Sequence, residues 1–336
     1  MAATIEDVAH RAGVSIATVS RALRGLPDVA PPTRERVVRA ARDLDYVASP
    51  YAARLASGRT HAVGVVVPFV TRWFFTQVVA GAERVLREAG YDTLLYNLGG
   101  QAGRERFFGR MPVRKRVDGL LMLCTPLAEG EIEAVRALRL PVAVVGAAQS
   151  GFASVRVDDV ASARLAVDHL IDLGHRRIGL ISGGSDEAMH ATATIDRRRG
   201  YWQALRDAGV RLDPGLDVPG HFTPGGGRAA MEWLLGLTDP PSAVFAASDE
   251  MAYGAMRAIR TAGLRVGADV SVVGFDDHEM SDLLELTTVA QPAVRQGELA
   301  ARALLIALGP KAPAPRAQTV PTRLVVRAST RPPRGG

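Results

Sequence analysis

From Ala62 onward the chain alternates short apolar runs with amphipathic stretches, and this limits its fold more than any other feature. Residues 62–67, 93–96, 119–123, 142–145, 177–181, 243–246 and 270–274 are β-branched or leucine-rich. Continuous runs this short predict strands buried on both faces. Between them, 77–89, 161–173, 198–208 and 251–261 carry helical periodicity, and Gly90, Gly174, Gly209 and Gly263 close them. Strand alternating with helix means a parallel α/β sheet. The 336 residues exceed the roughly 250–300 at which a single core stops growing. The strands are also too many for one compact sheet, so two similar lobes are expected. A last strand is expected at 319–327, after a turn or linker at 309–315, and residues 331–336 are expected to be disordered.

The first sixty residues follow a different rule. Thr4-Ile-Glu-Asp7 reads as a capping-box start, with acids in the positive first turn. Ile5, Val8, Ala9 and Ala12 share one helical stripe. Gly13 ends that helix and Ser15 can cap the next, whose inward face is Val19, Ala22 and Leu23. Ser15, Ile16, Ala17, Ser20, Arg21 and Arg24 are left facing outward. A third helix starts near Pro31-Pro32, with Val37, Ala41 and Leu44 as its stripe. Three short helices with a small-residue turn make a helix-turn-helix, which lays its second helix in the major groove of DNA. Small residues at 15–18 let the backbone approach the groove closely. Arg21 can make the forked contact to guanine, or it is a solvated surface charge.

Next, Ser49-Pro-Tyr-Ala-Ala-Arg-Leu-Ala-Ser-Gly58 reads as a helix of about two turns, too short to be stable alone. Its Leu55 either wedges between base steps in the minor groove or packs on the following domain.

Composition removes several classes of function. The 41 basic residues, all arginine except Lys115 and Lys311, outnumber 35 acidic ones, a balance that permits a nucleic-acid partner. The single cysteine, Cys124, excludes a disulfide framework and a CxxC metal site. Seven scattered histidines offer no HExxH helix. No apolar run reaches the roughly 18 residues of a membrane helix, and Met1-Ala-Ala-Thr-Ile-Glu-Asp is too polar for a signal peptide. A cytoplasmic protein without metal, cofactor or membrane partner is expected. Ser182-Gly-Gly-Ser185 has neither GxGxxG spacing nor a P-loop lysine, and Gly225-Gly-Gly227 reads as a loop. An α/β enzyme with an attached DNA-binding head would need a phosphate cradle that is missing here.

Ligands of parallel sheets sit beyond the carboxyl ends of the strands. Those ends supply Phe74, Phe75, Cys124, Ser248, Asp249, Asp276 and Gln291, with Arg197 starting a helix after Gly183-Gly184. Aromatic faces, an arginine fork and a few carboxylates or amides suit a small polyhydroxylated or planar molecule. Asp249 and Asp277 read as helix caps rather than ligands. Cys124 also reads as a small buried hydrophobe, Phe75 equally as core or pocket wall, and Arg198 and Arg199 as partners of surface acids.

The run from Thr4-Ile-Glu-Asp-Val-Ala-His-Arg-Ala-Gly through Val-Ser-Ile-Ala-Thr-Val-Ser-Arg21 resembles the DNA-binding head of LacI/GalR family regulators. Ala52-Ala-Arg-Leu-Ala56 is similar to that family's hinge helix. Leu173-Gly-His-Arg-Arg-Ile178, Arg199-Gly-Tyr-Trp-Gln-Ala-Leu205, Pro241-Ser-Ala-Val-Phe-Ala-Ala-Ser-Asp249, Val272-Val-Gly-Phe-Asp-Asp277 and Leu286-Thr-Thr-Val-Ala-Gln-Pro292 resemble its effector domain, a periplasmic-binding-protein-like fold. The resemblance implies DNA contacts by Thr4, Ser15, Ile16, Ala17, Thr18, Ser20, Arg21, Arg24, Tyr46, Leu55 and Ala56. It implies effector contacts by Phe74, Phe75, Cys124, Arg197, Phe222, Ser248, Asp276 and Gln291. Arg24 departs from the family's usual asparagine, Ala30 from its usual capping serine, and Cys124, Gly146 and Ser248 from its larger polar residues.

The implied organisation is a head at 1–48, a hinge helix and linker at 49–61, and an effector and dimerisation domain at 62–328, followed by a tail at 329–336. Its lobes would comprise 62–158 with 293–322, and 159–292 with 323–328. The implied function is a homodimeric repressor of a near-palindromic operator, controlled by a sugar-like effector. A nucleobase or nucleoside is the alternative.

Overall fold

A computed structural model describes residues 3–23, 25, 28–46, 59–147, 151–184, 191–309 and 316–334. Arg24, Leu55, Ala56, the expected hinge helix and the expected linker at 310–315 lie outside the described residues. The chain divides into two compact units, Met1–His61 and Ala62–Gly336.

The first unit is built on local signals. Helix α1 (Ile5–Ala12) begins in a reciprocal capping box: the Asp7 amide donates to Thr4 Oγ1 at 3.3 Å, and the Thr4 amide and hydroxyl donate to the Asp7 carboxylate at 2.8 Å. It ends at Gly13, whose φ of 64° needs no Cβ. Helix α2 (Ile16–Leu23) starts where the Thr18 amide donates to Ser15 Oγ at 3.1 Å. Helix α3 (Pro31–Asp43) follows Ala30, which offers no side-chain cap. Val8, Val19 and Val37 meet in a dry core lined by alanines, with Leu23, Leu44 and Tyr46 packed around it.

The second unit holds two parallel-dominated sheets with helices on their faces. The chain first lays down β1 (Ala62–Val67), α4 (Trp73–Glu88), β2 (Asp92–Asn97), α5 (Gln101–Arg110), β3 (Gly119–Leu123), α6 (Glu129–Arg136), β4 (Val142–Val145) and β5 (Ala153–Arg156). It crosses to the second lobe with α7 (Asp159–Asp172), β6 (Ile178–Ser182), α8 (Ala191–Asp207), β7 (Asp217–Pro219), α9 (Pro224–Leu235), β8 (Ala243–Ala246), α10 (Asp249–Thr261), β9 (Ser271–Asp276), α11 (Met280–Leu283) and β10 (Thr287–Ala290). It returns to the first with α12 (Ala293–Ala307) and β11 (Ala317–Thr319), then crosses again for β12 (Arg323–Val325). The sheet orders are β11-β5-β4-β3-β1-β2 and β12-β10-β9-β8-β6-β7, and only β12 runs antiparallel to its neighbour. Three crossings between the lobes therefore separate the two cores.

Close packing depends on glycine at particular places. A Cβ on Gly81 of α4 would lie 2.1 Å from the Val294 carbonyl oxygen, and one on Gly297 of α12 2.0 Å from that of Val78. These two helices touch backbone to backbone.

Several expectations require correction. Strand β2 is not buried on both faces: it is the sheet edge, with Asp92, Leu95 and Asn97 exposed. The single strand expected at 319–327 is two strands in different sheets, because Pro321 cannot continue a ladder. The glycines at 225–227 are not a loop but open α9, where a Cβ on Gly227 would strike the Met251 carbonyl oxygen at 2.2 Å. Of the segment expected to be disordered, residues 331–334 are held: Nε2 of the buried His175 reaches the Arg331 carbonyl at 2.9 Å, and Arg334 pairs with Asp269, while 335–336 lie outside the described residues. Its polar backbone found partners in the second lobe that composition does not reveal. Strands β5 and β7 went unanticipated because each has at most four residues and no long aliphatic run.

Candidate functional site

Two surfaces carry the chemistry anticipated from sequence. On the first unit, Ile16 (46% exposed), Ala17 and Arg21 project from one face of α2, with Ser15 at its start. Thr18 and Ser20 are half-buried, and Thr18 Oγ1 lies 2.9 Å from Ser15 Oγ. Two expected contact residues also have structural duties: the Thr4 hydroxyl donates to Asp7, and Tyr46 packs on the three-helix core.

In the second unit, the carboxyl ends of both sheets converge on one cavity lined by Phe74, Phe75, Cys124, Arg197, Phe222, Ser248, Asp276 and Gln291. All eight residues expected at an effector site therefore meet. Local structure places each one. Phe74 and Phe75 open α4 after β1, in an edge-to-face pair with centroids 5.5 Å apart. Cys124 follows β3 with φ 43°, and its sulfur occupies the space a Cβ on Gly146 would need, at 2.2 Å. That is the steric reason glycine stands at 146. Phe222, with φ 50°, packs on Gly183 so closely that a Cβ there would lie 2.1 Å from its ring. Ser248 caps α10, its Oγ accepting from the Met251 amide at 3.3 Å.

The polar side chains form two buried chains of contacts. Arg197 Nε donates to Asp159 Oδ1 at 2.8 Å, Nη1 donates to the Ala247 carbonyl at 2.6 Å, and the guanidinium lies 3.6 Å from the Phe275 ring centroid. Gln296 Nε2 donates to Gln291 Oε1 at 3.2 Å, and Gln291 Nε2 donates to Asp276 Oδ1 at 2.5 Å. Burial pushes the Asp276 carboxyl up to about 8 against the pull of Arg197, and it pushes the Cys124 thiol up to about 12. Burial likewise raises Asp159 against Arg197, and Glu250 against Arg72. At neutral pH Cys124 is a thiol, not a nucleophile.

Arg72, Asp159, Glu250 and Gln296 also line the cavity and were not singled out from sequence. Asp159 follows β5, whose short Ala-Ser-Val-Arg gives little strand signal. The nearest sequence cue was the Asp-Asp pair opening α7. Asp249 and Asp277 are not caps. Asp249 is fully buried and accepts from Thr288 Oγ1 at 2.6 Å, Ser281 Oγ at 2.7 Å and the His278 amide at 2.9 Å, while Asp277 pairs with Arg327 at 2.9 Å. Arg198 pairs with Asp217, whose carboxylate is buried rather than a surface acid, and Arg199 with the partly exposed Asp196 at 3.2 Å. At the cleft's edge Trp73 of the first lobe stacks on His278 of the second, with centroids 4.8 Å apart, and its indole N–H donates to Glu279.

Among the described residues no cluster of His, Cys, Asp or Glu could hold a metal ion, and no helix is long and apolar enough to cross a membrane.

Comparison with known proteins gives two family matches: residues 4–49 match bacterial regulatory proteins of the lacI family, and residues 167–330 a periplasmic binding protein-like domain. The HTH-type transcriptional repressor CytR of Escherichia coli (strain K12) is 35% identical, over 98% of this chain and 97% of that protein. The ribose operon repressor of Haemophilus influenzae is 34% identical, over 90% and 91%. Among solved structures, a Lac repressor dimer bound to operator and the anti-inducer ONPF superposes with a TM-score of 0.87 at 30% identity, covering 98% of this chain and all of that one.

Proposed function

Because the chain belongs to the lacI family of bacterial regulatory proteins, it is a DNA-binding transcriptional repressor and not an enzyme, and we propose that a small-molecule effector in the cleft controls it. The observation that carries this reading is the convergence of both sheets' carboxyl ends on one cavity with aromatic walls and buried polar groups. Its aromatic walls and few buried polar groups suit one sugar or one planar base. The Asp276 carboxyl, protonated at neutral pH, donates to a ligand oxygen or ring nitrogen, and Phe74 and Phe222 offer faces for a ring. Arg197 contributes less than a free fork would, because Nε and Nη1 are engaged by Asp159 and Ala247. A sugar is the first reading. A nucleobase or nucleoside is the second, favoured by the aromatic walls.

The head, 1–48, reads a near-palindromic operator as a homodimer, in the cytoplasm where the DNA is. Ile16, Ala17 and Arg21 are the base-reading residues, exposed together on α2. Ser15, Thr18 and Ser20 flank them, and Arg24, Leu55 and Ala56 are assigned to DNA by resemblance. The hinge and linker span 49–61, and the effector domain 62–328. Ligand shifts the lobes, and its coupling to operator is reciprocal: whatever factor it imposes on operator affinity, operator imposes on it.

Two measurements test this. Arg21→Ala should weaken binding by about 1–3 kcal/mol and relax selection from a randomised site library; unchanged selection removes Arg21 from the reading role. Titration calorimetry of any sugar or base that shifts the melting temperature should lose its heat in Asp276→Ala. Binding equal to that of the parent protein removes the cleft assignment and leaves the DNA reading standing.

A further inference from the structure

We infer that α2 recognises thymine by its C5 methyl group, with Ile16 as the side chain that selects it. This rests on the base-reading role proposed for α2 and adds the chemistry by which the bases are told apart. Among the described residues of the first unit, Ile16 is the one large hydrophobic side chain left exposed. Val8, Val19 and Val37 are fully covered in the core beneath it. The polar side chains of the same turn are already engaged. Ser15 Oγ accepts from the Thr18 amide at 3.1 Å and lies 2.9 Å from Thr18 Oγ1, so both hydroxyls serve the cap. Ile16 and the exposed Ala17 are left to meet a base edge at the start of the helix.

Neither side chain carries a donor or an acceptor, so neither gains from the hydrogen-bonding groups that distinguish most base pairs. In the major groove guanine, cytosine and adenine present nitrogens and oxygens, and thymine alone adds a methyl group. Isoleucine set against an edge without that methyl covers polar atoms and returns nothing for them. Ala17, one position on, is small enough for the helix to come close. Arg21 is also exposed on α2 and supplies the forked donor that a guanine accepts. The five residues from Ile16 to Arg21 advance the helix by about 7.5 Å, close to two base-pair steps of ~3.4 Å. The selected thymine should therefore lie within about two base pairs of that guanine. The competing reader is Ser20, half-buried one turn after Ile16, whose hydroxyl can serve a donor or an acceptor on any base.

Selection from a randomised duplex library with the full-length protein yields a site, and synthetic duplexes at one fixed salt concentration then test it. Deoxyuridine keeps every hydrogen-bonding group of thymine and lacks only the methyl. Replacing the selected thymine by deoxyuridine should weaken binding about fourfold per half-site, or ~0.8 kcal/mol, the worth of one buried methyl group. Changing both half-sites should cost about sixteenfold, because well-separated positions add. At the same position a 5-methylcytosine pair should bind more tightly than a cytosine pair. Ile16→Ala alters an exposed helical position that alanine suits. That variant should bind the thymine and deoxyuridine duplexes within about twofold of each other. Equal binding of the two duplexes by the parent protein overturns the inference. So does discrimination that persists in Ile16→Ala, which would come from base stacking in the DNA itself. Either result leaves Arg21 and the operator reading standing. Enrichment of no site at all would instead remove the operator reading, and the thymine contact with it.

Discussion

Replacing Arg197 with methionine probes the charge arrangement at the base of the cleft. Arg197 and Asp159 are 6% and 7% exposed and 2.8 Å apart. Methionine retains much of the stem and its contact with Phe275 but leaves Asp159 buried beside no cation. Breaking a buried pair from one side costs about 3–5 kcal/mol. At roughly 2–3 °C per kcal/mol for a body of this size, the melting temperature should fall by about 6–15 °C. The deficit should also depend on pH. Burial already raises the Asp159 carboxyl and Arg197 opposes that rise, so its removal lifts Asp159 further. The folded variant then holds a proton that the unfolded chain, with its carboxyl near 4, releases. Stability therefore falls as pH rises, by about 1.4 kcal/mol per unit between roughly pH 4 and the raised folded value. Urea unfolding at pH 5, 6.5 and 8 of the parent protein, Arg197→Met, Asp159→Leu and the double variant closes a mutant cycle. The double variant should be more stable than Arg197→Met alone, because it leaves no charge stranded. Additive losses, or a pH-independent deficit under about 1 kcal/mol, would refute the reasoning and reduce the pair to packing.

Three further outcomes are expected. The rings of the half-buried His169 and the buried His175, which bond to Thr330 and to the Arg331 carbonyl, have pKa values lowered by desolvation. Stability is thus full above about pH 6.5, where unfolded histidine is neutral, and is lost as pH drops below it; urea midpoints between pH 7.5 and 5.5 should fall less steeply in His175→Gln. Ala30→Ser supplies the side-chain cap that α3 lacks and should stabilise the head by about 0.5–1 kcal/mol, seen as slower amide exchange in the first turn of α3. Gly81→Ala places a Cβ against the Val294 carbonyl and should cost about 1–3 kcal/mol in calorimetric unfolding, unless α4 and α12 can separate freely.

What could be read from the sequence alone follows from the range of the forces involved. The capping box at Thr4 and Asp7, the left-handed Gly13 and the Ser15 cap act within four residues, so the turn between α1 and α2 was legible letter by letter. Strands buried on both faces, such as 62–67 and 119–123, show as unbroken apolar runs because no position can face water. The rule that ligands gather at strand ends then picked out Phe74, Cys124, Ser248, Asp276 and Gln291 without coordinates. Tertiary structure decided what those residues do to one another. Arg197 finds Asp159 38 residues away, and Gln291 links Asp276 to Gln296 on a helix of the other lobe. No local pattern encodes these pairings. The edge exposure of β2, the division of 317–325 between two sheets and the burial of Ser329 share that origin. Each depends on which distant element arrives alongside, and desolvation and hydrogen bonding there are set by the assembled fold rather than by the neighbouring residues in the chain.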